Sequence, residues 1–211
     1  MKRSPGIMHL FASLEELATG QAQVEKEFVL YAKVDHAWLV ANAQSIEDHE
    51  QWELRIAKTE GNECGGRMRV RKTVYLNQAG LTTYVQTVKT KLADWGEKEV
   101  ATSSSADGFA QFKAMSERGM VKRRHRIACP GRASSWEVDV FFNADGTPHE
   151  WVKIDYELKE GETDCPDPHA QFKEVVRPGH YPRTPTGKQD VEDFIRNLYD
   201  TVFLKTNRPA V

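Results

Sequence analysis

Three arginines at alternate positions constrain this chain more than any other feature. They lie in the run Arg67-Met68-Arg69-Val70-Arg71, with apolar residues between them. On an extended strand successive side chains point to opposite faces, so all three guanidinium groups leave from one face. The run therefore predicts a β-strand with one cationic face and one apolar face.

The same alternation recurs in other segments, and each of these carries charge of one sign on one face. The further basic faces comprise Thr87, Lys89 and Lys91, and Lys122, Arg124 and Arg126. The acidic faces comprise Glu25 and Glu27, Glu137 and Asp139, and Asp155 and Glu157. The chain therefore sorts its charge by strand.

Charge that is sorted by strand favours one architecture over another. The solvent-facing side of an ordinary β-sandwich carries mixed polar residues rather than blocks of one sign. A closed antiparallel barrel with a polar lumen would instead place cationic strands opposite anionic strands. We therefore predict an α+β, mainly antiparallel β fold: an eight-stranded closed tunnel barrel with a charged lumen, flanking helices and a C-terminal helix. Such a lumen suits a polyanion and its counter-cations.

Composition limits the partners and the compartment. The formal net charge of −2 argues against a general nucleic-acid coat, which would be strongly basic. The three cysteines lie far apart without a C-x-x-C pair, which is typical of a reducing compartment. No apolar run approaches the ~20 residues of a membrane-spanning helix, and the N-terminus lacks the pattern of a signal peptide. We expect a cytoplasmic protein without a membrane partner.

Three regions are expected along the chain. Residues 1–21 form an N-terminal extension, and residues 22–160 form the barrel. Residues 161–211 form a proline-rich loop and a packing helix, because five prolines fall within 160–188 and apolar residues at helical spacing fall within 190–203. The proline-rich segment is expected to be an irregular loop or lid rather than part of the core.

Two helices are predicted inside the barrel region. The first covers 35–50 and is followed by a strand at Trp52–Lys58, and the second covers 105–118 and ends at Gly119. The run Asn143-Ala144-Asp145-Gly146 predicts a hairpin between the last two strands.

Aromatic and histidine residues are expected to be structural. The large aromatic side chains of the last strands are predicted to pack helices onto the outside of the barrel, namely Trp136, Phe141, Trp151 and Tyr156. The seven histidines show no ligand spacing, and surface positions are expected for all of them.

The order of the charged segments resembles the CYTH superfamily, the triphosphate tunnel metalloenzymes. The resemblance covers residues 22–160. It consists of Glu-x-Glu on the first strand, Arg-x-Arg after a hairpin, Thr-x-Lys-x-Lys, a helix, Lys-x-Arg-x-Arg, Trp-Glu-Val-Asp-Val-Phe and Asp-x-Glu-Leu. Members of that family fold as an eight-stranded antiparallel tunnel. They include inorganic, thiamine and RNA triphosphatases and class IV adenylate cyclases.

The resemblance implies a role for each charged face. It implies ligation of Mg²⁺ or Mn²⁺ by Glu25, Glu27, Asp155 and Glu157. It implies phosphate binding by Arg67, Arg69, Lys89, Lys91, Arg124 and Arg126, and the same faces add Arg71 and Lys122. The chemistry of the residues agrees, because carboxylate oxygens suit these metals and guanidinium groups bind phosphate oxygens bidentately.

The predicted reaction is metal-assisted transfer of a phosphoryl group to water. The residues expected to take part in catalysis are Glu25, Glu27, Arg67, Arg124, Arg126, Glu137 and Asp139, the last two by orienting the water. The substrate is expected to be a triphosphate-bearing small molecule, an RNA 5′ end or inorganic tripolyphosphate. The barrel could pair as a homodimer.

One position departs from the family's pattern. The first-strand signature commonly continues to a lysine two residues beyond the second glutamate, and that position is Val29 here. Lys26 points to the opposite face, and Lys33 lies two further steps along the strand. The departure keeps open a non-catalytic module that binds a nucleotide or polyphosphate. A class IV-type adenylate cyclase is a third hypothesis, for which the sequence shows no adenine pocket.

Overall fold

A computed structural model describes residues 23–25, 27–56, 66–91, 97–116, 118–143, 145–159, 162–176 and 203–205. Within these residues the chain forms eleven strands and two helices. The strands are β1 (Gln23–Glu25), β2 (Glu27–Lys33), β3 (Ala43–Ile56), β4 (Gly66–Tyr75), β5 (Thr82–Lys91), β6 (Glu97–Ser103), β7 (Arg118–Ala128), β8 (Ser135–Phe142), β9 (Pro148–Glu157), β10 (Lys173–Val176) and β11 (Phe203–Lys205). The helices are α1 (His36–Asn42) and α2 (Ala106–Met115).

All of these strands belong to one antiparallel sheet. Its order is β1-β6-β5-β4-β3-β7-β8-β9-β2-β10, and β11 pairs with β7. Only Lys26 separates β1 from β2, yet β1 pairs with β6 and β2 pairs with β9. The run of strands from β6 to β9 is therefore flanked at its two ends by β1 and β2, which are adjacent in the sequence. The mainly antiparallel, β-rich fold class is confirmed.

The apolar faces of four strands form the larger core cluster. Alternate side chains of β2, β7, β8 and β9 pack against α1 and the segment 162–176, while the intervening side chains point the other way. The cluster comprises Leu30, Ala32, Leu39, Ile127, Cys129, Trp136, Val138, Val140, Val152, Ile154, Tyr156 and Phe172. This packing leaves the charged faces of the strands together on the opposite side of the sheet.

A second core cluster places α2 against β3, β4 and β5. Ser105 caps the helix by accepting a hydrogen bond of 3.0 Å from the backbone nitrogen of Gly108. Phe109 and Phe112 are buried against Trp52 and against Val70 of β4. The predicted helix is confirmed in position.

Gly119 does not end that helix. The helix ends at Met115, and Gly119 lies within β7 opposite Trp52 of β3. A Cβ atom added to Gly119 would lie 2.5 Å from the Cε3 atom of the Trp52 ring. A glycine is therefore required here by the close approach of the indole, rather than by a helix terminus.

The helix predicted over 35–50 is wrong beyond Asn42. Asp35 caps α1, with its Oδ1 atom accepting from the backbone nitrogen of Ala37 at 2.8 Å, and β3 begins at Ala43. The inner face of β3 is polar, with buried residues at Glu47, His49, Gln51 and Glu53. Its outer face is acidic over part of the same stretch. Because neither face is apolar there, the strand gives no alternating hydrophobic signal.

The proline-rich segment is partly core. Residues 162–172 have no helix or strand, as predicted, but Phe172 and Val176 are buried and β10 pairs with β2. The prediction that this segment lies outside the core is therefore wrong for 162–176. The N-terminal extension 1–21 and the helix predicted over 190–203 lie outside the described residues, apart from Phe203 in β11. Neither of the two described helices is long and apolar enough to cross a lipid bilayer.

Candidate functional site

The charged faces of the strands line a common cavity of about 340 Å³. This volume lies in the range of small-molecule sites, roughly 300–1,000 Å³. The basic side chains that line it are Arg67, Arg69, Arg71, Lys89, Arg118, Lys122, Arg124, Arg126 and Lys153. The acidic ones are Glu27, Glu53, Glu99, Glu137, Asp139, Asp155 and Glu157. The described lining therefore carries more positive than negative charge.

The structure brings the predicted site residues together. Every one of them whose side chain is described lines this cavity, from Glu27 on β2 to Glu157 on β9. Glu25 and Lys91 lie in β1 and β5, and their side chains fall outside the described part of the chain. Period-two alternation was therefore a sufficient guide to which residues share the inner face.

Arg124 is fixed at the centre of an acidic cluster. Its Nε and Nη2 atoms donate to the two carboxylate oxygens of Asp139 at 2.7 and 2.8 Å, and its Nη1 atom donates to Glu137. Lys122 also donates to Asp139, which is 0% exposed. Although burial alone favours the neutral acid, Arg124 and Lys122 hold the pKa of Asp139 well below its usual range. Both oxygens of Asp139 are thus occupied in positioning cations.

Arg126 is held in a second network by a residue that sequence reasoning missed. Its Nε atom donates to Glu47 at 2.8 Å, and the other oxygen of Glu47 lies 3.0 Å from the Nε2 atom of His49. Burial opposes ionisation of Glu47, but the hydrogen bonds from His49 and Arg126 lower its pKa to about 2. The expected surface position is wrong for His49 and also for His125, since both are buried.

The arginines of β4 are less completely neutralised. Arg71 lies between Gln51 on β3 and Val85 on β5, neither of which is acidic. The Nη2 atom of Arg69 lies 3.8 Å from Glu99, and the buried Nε atoms of Arg69 and Arg71 have no hydrogen-bond partner among the described residues. Burial, followed by repulsion from Arg69 and Arg124, lowers the pKa of Arg71 to about 10. Among the described residues, this inner face of β4, which we call the β4 wall, therefore presents half-buried positive charge without a full set of anions.

The opposite wall carries the acids predicted to bind metal. Glu27 and Glu157 are cross-strand partners on β2 and β9, and both line the cavity. The ammonium of Lys153 donates to both oxygens of Asp155, at 2.6 Å to Oδ2, and lies 3.5 Å from the Oε1 atom of Glu27. Although burial favours the neutral amine, Asp155 and Glu27 raise the pKa of Lys153 above its usual range.

The departure at Val29 has a structural counterpart. Val29 is the cross-strand partner of Asp155, and Lys153 is the partner of Tyr31 one step further along the same face. A lysine ammonium therefore does lie beside the acidic end of β2, but β9 supplies it instead of β2.

One part of the cavity is lined by apolar side chains, from Tyr31, Met120 and Phe141. The prediction that Phe141 packs on the outside of the barrel is wrong, because Phe141 shares the inner face with Glu137 and Asp139. Trp136 and Tyr156 do lie in the larger core cluster, away from the cavity, with their ring centroids 5.0 Å apart.

Comparison with known proteins leaves the family open. No family model matches the chain, and no curated protein matches it. Among solved structures, the PH1819 protein from Pyrococcus horikoshii OT3 is similar at 13% identity and a TM-score of 0.44, over 86% of this chain and 95% of that chain. The hypothetical protein NE1496 is similar at 16% identity and a TM-score of 0.40, over 78% of this chain and 96% of that chain. Likenesses this distant carry no argument about fold or function.

Sequence reasoning missed several charged residues of the cavity, namely Glu53, Glu99, Arg118 and Lys153. The signal for Lys153 and Glu99 was the same alternation, because each lies two positions from another charged residue on its strand. Arg118 lies within the span that was predicted as helix. Glu53 lies in the strand predicted at Trp52–Lys58, but that strand was not connected with the site.

Proposed function

We propose that this cavity binds the triphosphate group of a nucleotide, an RNA 5′ end or inorganic tripolyphosphate, and hydrolyses it with Mg²⁺ or Mn²⁺. The observation that carries the proposal is the β4 wall. A buried cation without a full set of anionic partners is costly unless a ligand supplies the missing charge. Phosphate oxygens match guanidinium donors in charge and geometry. Arg69 and Arg71 retain buried Nε donors for such a ligand.

We further propose that the sheet closes into a tunnel of the CYTH type. The support is the change of partner between Glu25 and Glu27, since β1 pairs with β6 and β2 pairs with β9. The ordered motifs over residues 22–160 support the same family. A tunnel would exclude bulk water from the phosphates and so strengthen their interactions with the surrounding cations.

The acidic wall fits a divalent cation by its donor chemistry. Glu27, Asp155 and Glu157 offer hard carboxylate oxygens on two paired strands, and Glu25 belongs to the strand segment that precedes Glu27. Among the described residues no three acidic, histidine or cysteine side chains converge as a metal-binding group, and Lys153 engages two of these acids. A bound Mg²⁺ or Mn²⁺ would neutralise phosphate charge and polarise the phosphoryl group.

Two arginines of β7, Arg124 and Arg126, have different roles in this proposal. The Arg124 side chain is 9% exposed and Asp139 occupies two of its donors, so Arg124 anchors the wall. The Arg126 side chain is 39% exposed, and it can move from Glu137 to a phosphate oxygen. In that position it would stabilise the charge that develops on the transferred group. Glu137, released by Arg126, would accept a hydrogen bond from the attacking water.

A non-catalytic phosphate-binding module is the second candidate. The observation that favours it is that lysines engage the acids of the metal wall, with Lys153 on Asp155 and Lys159 on Glu157 at 2.9 Å. Such a module would bind the polyanion through the β4 wall without turnover.

The test is the product released from tripolyphosphate, ATP and a 5′-triphosphorylated RNA, each with and without Mg²⁺ or Mn²⁺. We expect metal-dependent release of orthophosphate by the wild-type protein. Arg69→Gln should reduce kcat/KM by about 10²–10³, the usual cost of removing one stabilising donor. The matched control is Lys72→Gln, which removes a charge from the other face of β4, where Lys72 lines a separate groove.

The outcomes separate the candidates. Binding of tripolyphosphate without turnover, lost in Arg69→Gln, would establish the binding module. Pyrophosphate together with cyclic AMP from ATP would indicate a cyclase. Absence of both binding and turnover would refute the proposal, as would equal losses in Arg69→Gln and Lys72→Gln.

A further inference from the structure

Lys153 makes an unusual set of contacts for a lysine within the cavity. Its ammonium donates to both oxygens of Asp155 and reaches Oε1 of Glu27, so three carboxylate oxygens from two strands surround one Nζ atom. Oxygen ligands gathered around a single cation are also the arrangement that a divalent metal needs. The Lys153 ammonium thus pairs with two of the carboxylates that are suited to binding a metal.

This ammonium is more easily displaced than the guanidinium of Arg124. Asp139 holds Arg124 through two parallel hydrogen bonds, which fixes the guanidinium plane. Lys153 is a point charge on a flexible four-carbon stem, and its side chain is 26% exposed. Its second partner, Glu27, is 39% exposed and lies 3.5 Å away, at the long limit of a hydrogen bond.

We propose that Lys153 is an exchangeable internal cation that neutralises Glu27 and Asp155 until a divalent metal displaces it. This inference rests on the proposed function. A divalent metal on these carboxylate oxygens would lie close to the Lys153 ammonium, and the repulsion between the two positive charges lowers the affinity of the site for free metal. Once displaced, the ammonium remains in the cavity and can pair with a phosphate oxygen. Metal and triphosphate therefore bind cooperatively, each favouring the state in which Lys153 has left the acids.

The test is direct titration of Mn²⁺, followed by electron paramagnetic resonance or calorimetry, without any triphosphate. We expect Lys153→Met to bind Mn²⁺ at least about tenfold more tightly than the wild-type protein, within the usual range of coupling between sites. The matched control is Lys33→Met. Lys33 also lies in a strand of this sheet and is also 26% exposed, but it pairs with Glu150 and Glu174, which do not line the cavity. The Lys33→Met variant should bind Mn²⁺ with the same affinity as the wild-type protein.

Two further measurements locate the effect. Adding Glu27→Gln to Lys153→Met should abolish the gain in Mn²⁺ affinity. Tripolyphosphate should raise the Mn²⁺ affinity of the wild-type protein several-fold, and this enhancement should shrink in Lys153→Met. Far-ultraviolet circular dichroism and thermal unfolding confirm that each variant is folded.

Opposite results would overturn the inference. If Lys153→Met binds Mn²⁺ no more tightly than wild type while the wild-type protein hydrolyses a triphosphate with metal, the lysine is not a competitor and the proposed function stands. If the wild-type protein neither binds Mn²⁺ with tripolyphosphate nor hydrolyses a triphosphate, both the inference and the proposed function fail.

Discussion

We expect Arg71→Met to stabilise the protein without ligand and to weaken its response to polyphosphate. Arg71 lies between Gln51 and Val85, and its buried Nε atom has no hydrogen-bond partner among the described residues. Its charge is therefore kept at a cost in folding free energy, which a bound phosphate would offset. Methionine has a similar length and flexibility, and removes the charge without leaving a large void.

The magnitude follows from the pKa of Arg71, which falls to about 10 mainly because of burial. At about 1.4 kcal/mol per pH unit, the charged side chain costs roughly 3 kcal/mol in the folded state at every pH below about 10. Water at the cavity mouth and the loss of side-chain packing reduce this gain, so we expect a stabilisation of about 1–3 kcal/mol. For a chain of this size that corresponds to a rise in melting temperature of several degrees, at about 2–4 °C per kcal/mol.

The assay is thermal unfolding at pH 7.5 with and without tripolyphosphate. A ligand at about 100 times its Kd stabilises the folded state by about 2.7 kcal/mol, so the wild-type protein should show a clear rise in melting temperature. Arg71→Met should melt higher without ligand and shift less with it.

The control for this prediction is Arg123→Met. Arg123 lies on the outer face of β7 and donates two hydrogen bonds to Asp48, at 2.7 and 3.0 Å. It should keep the wild-type response to tripolyphosphate. A destabilised Arg71→Met protein that tripolyphosphate stabilises as strongly as wild type would refute the reasoning about the β4 wall.

Three further changes test the network and the fold. Asp139→Asn removes the anion that holds buried Arg124 and should destabilise the protein by about 3–5 kcal/mol in urea unfolding. Burial lowers the pKa of His125 to about 4, so the unfolded chain takes up a proton below about pH 6.5 while the folded protein does not. Stability should therefore fall as pH drops from 6.5 to 4, and His125→Leu should flatten that decline, as measured by urea unfolding at several pH values. Gly119→Ala drives a methyl group against the Trp52 ring and should cost about 1–3 kcal/mol in thermal unfolding.

Each of these changes has an outcome that contradicts it. Asp48→Asn removes an exposed partner of Arg123 and should cost less than about 1 kcal/mol, so an equal loss in Asp139→Asn would argue against a special role for the buried network. If the stability of His125→Leu falls between pH 6.5 and 4 as steeply as that of the wild-type protein, groups other than His125 cause the acid sensitivity. A Gly119→Ala protein as stable as wild type would show that the Trp52 ring yields easily.

Hairpins and strands with one apolar face were predictable because their cause is local. The hairpin at 143–147 has the backbone hydrogen bond from Asn143 to Thr147 at 2.8 Å and a positive φ of 82° at Gly146, as its turn residues predict. Residues 43–51 of β3 were not predicted as strand because both faces of this stretch are polar around Glu47. A local pattern cannot reveal that such a strand is needed, since its inward polar face is stabilised by partners that arrive from β7.

The sequence by itself determined which charged residues share a face. A strand alternates its side chains whatever lies around it, so the spacing of Arg67, Arg69 and Arg71 was enough to place them on one wall. Only the tertiary structure decided which charges neutralise one another. Cross-strand register sets Arg124 against Asp139 and brings Lys153 beside Glu27, which lies 126 residues away in the chain. Register depends on the pairing of whole strands, and this pairing depends on how the sheet curves to bury its apolar outer face. No short stretch of sequence specifies that curvature.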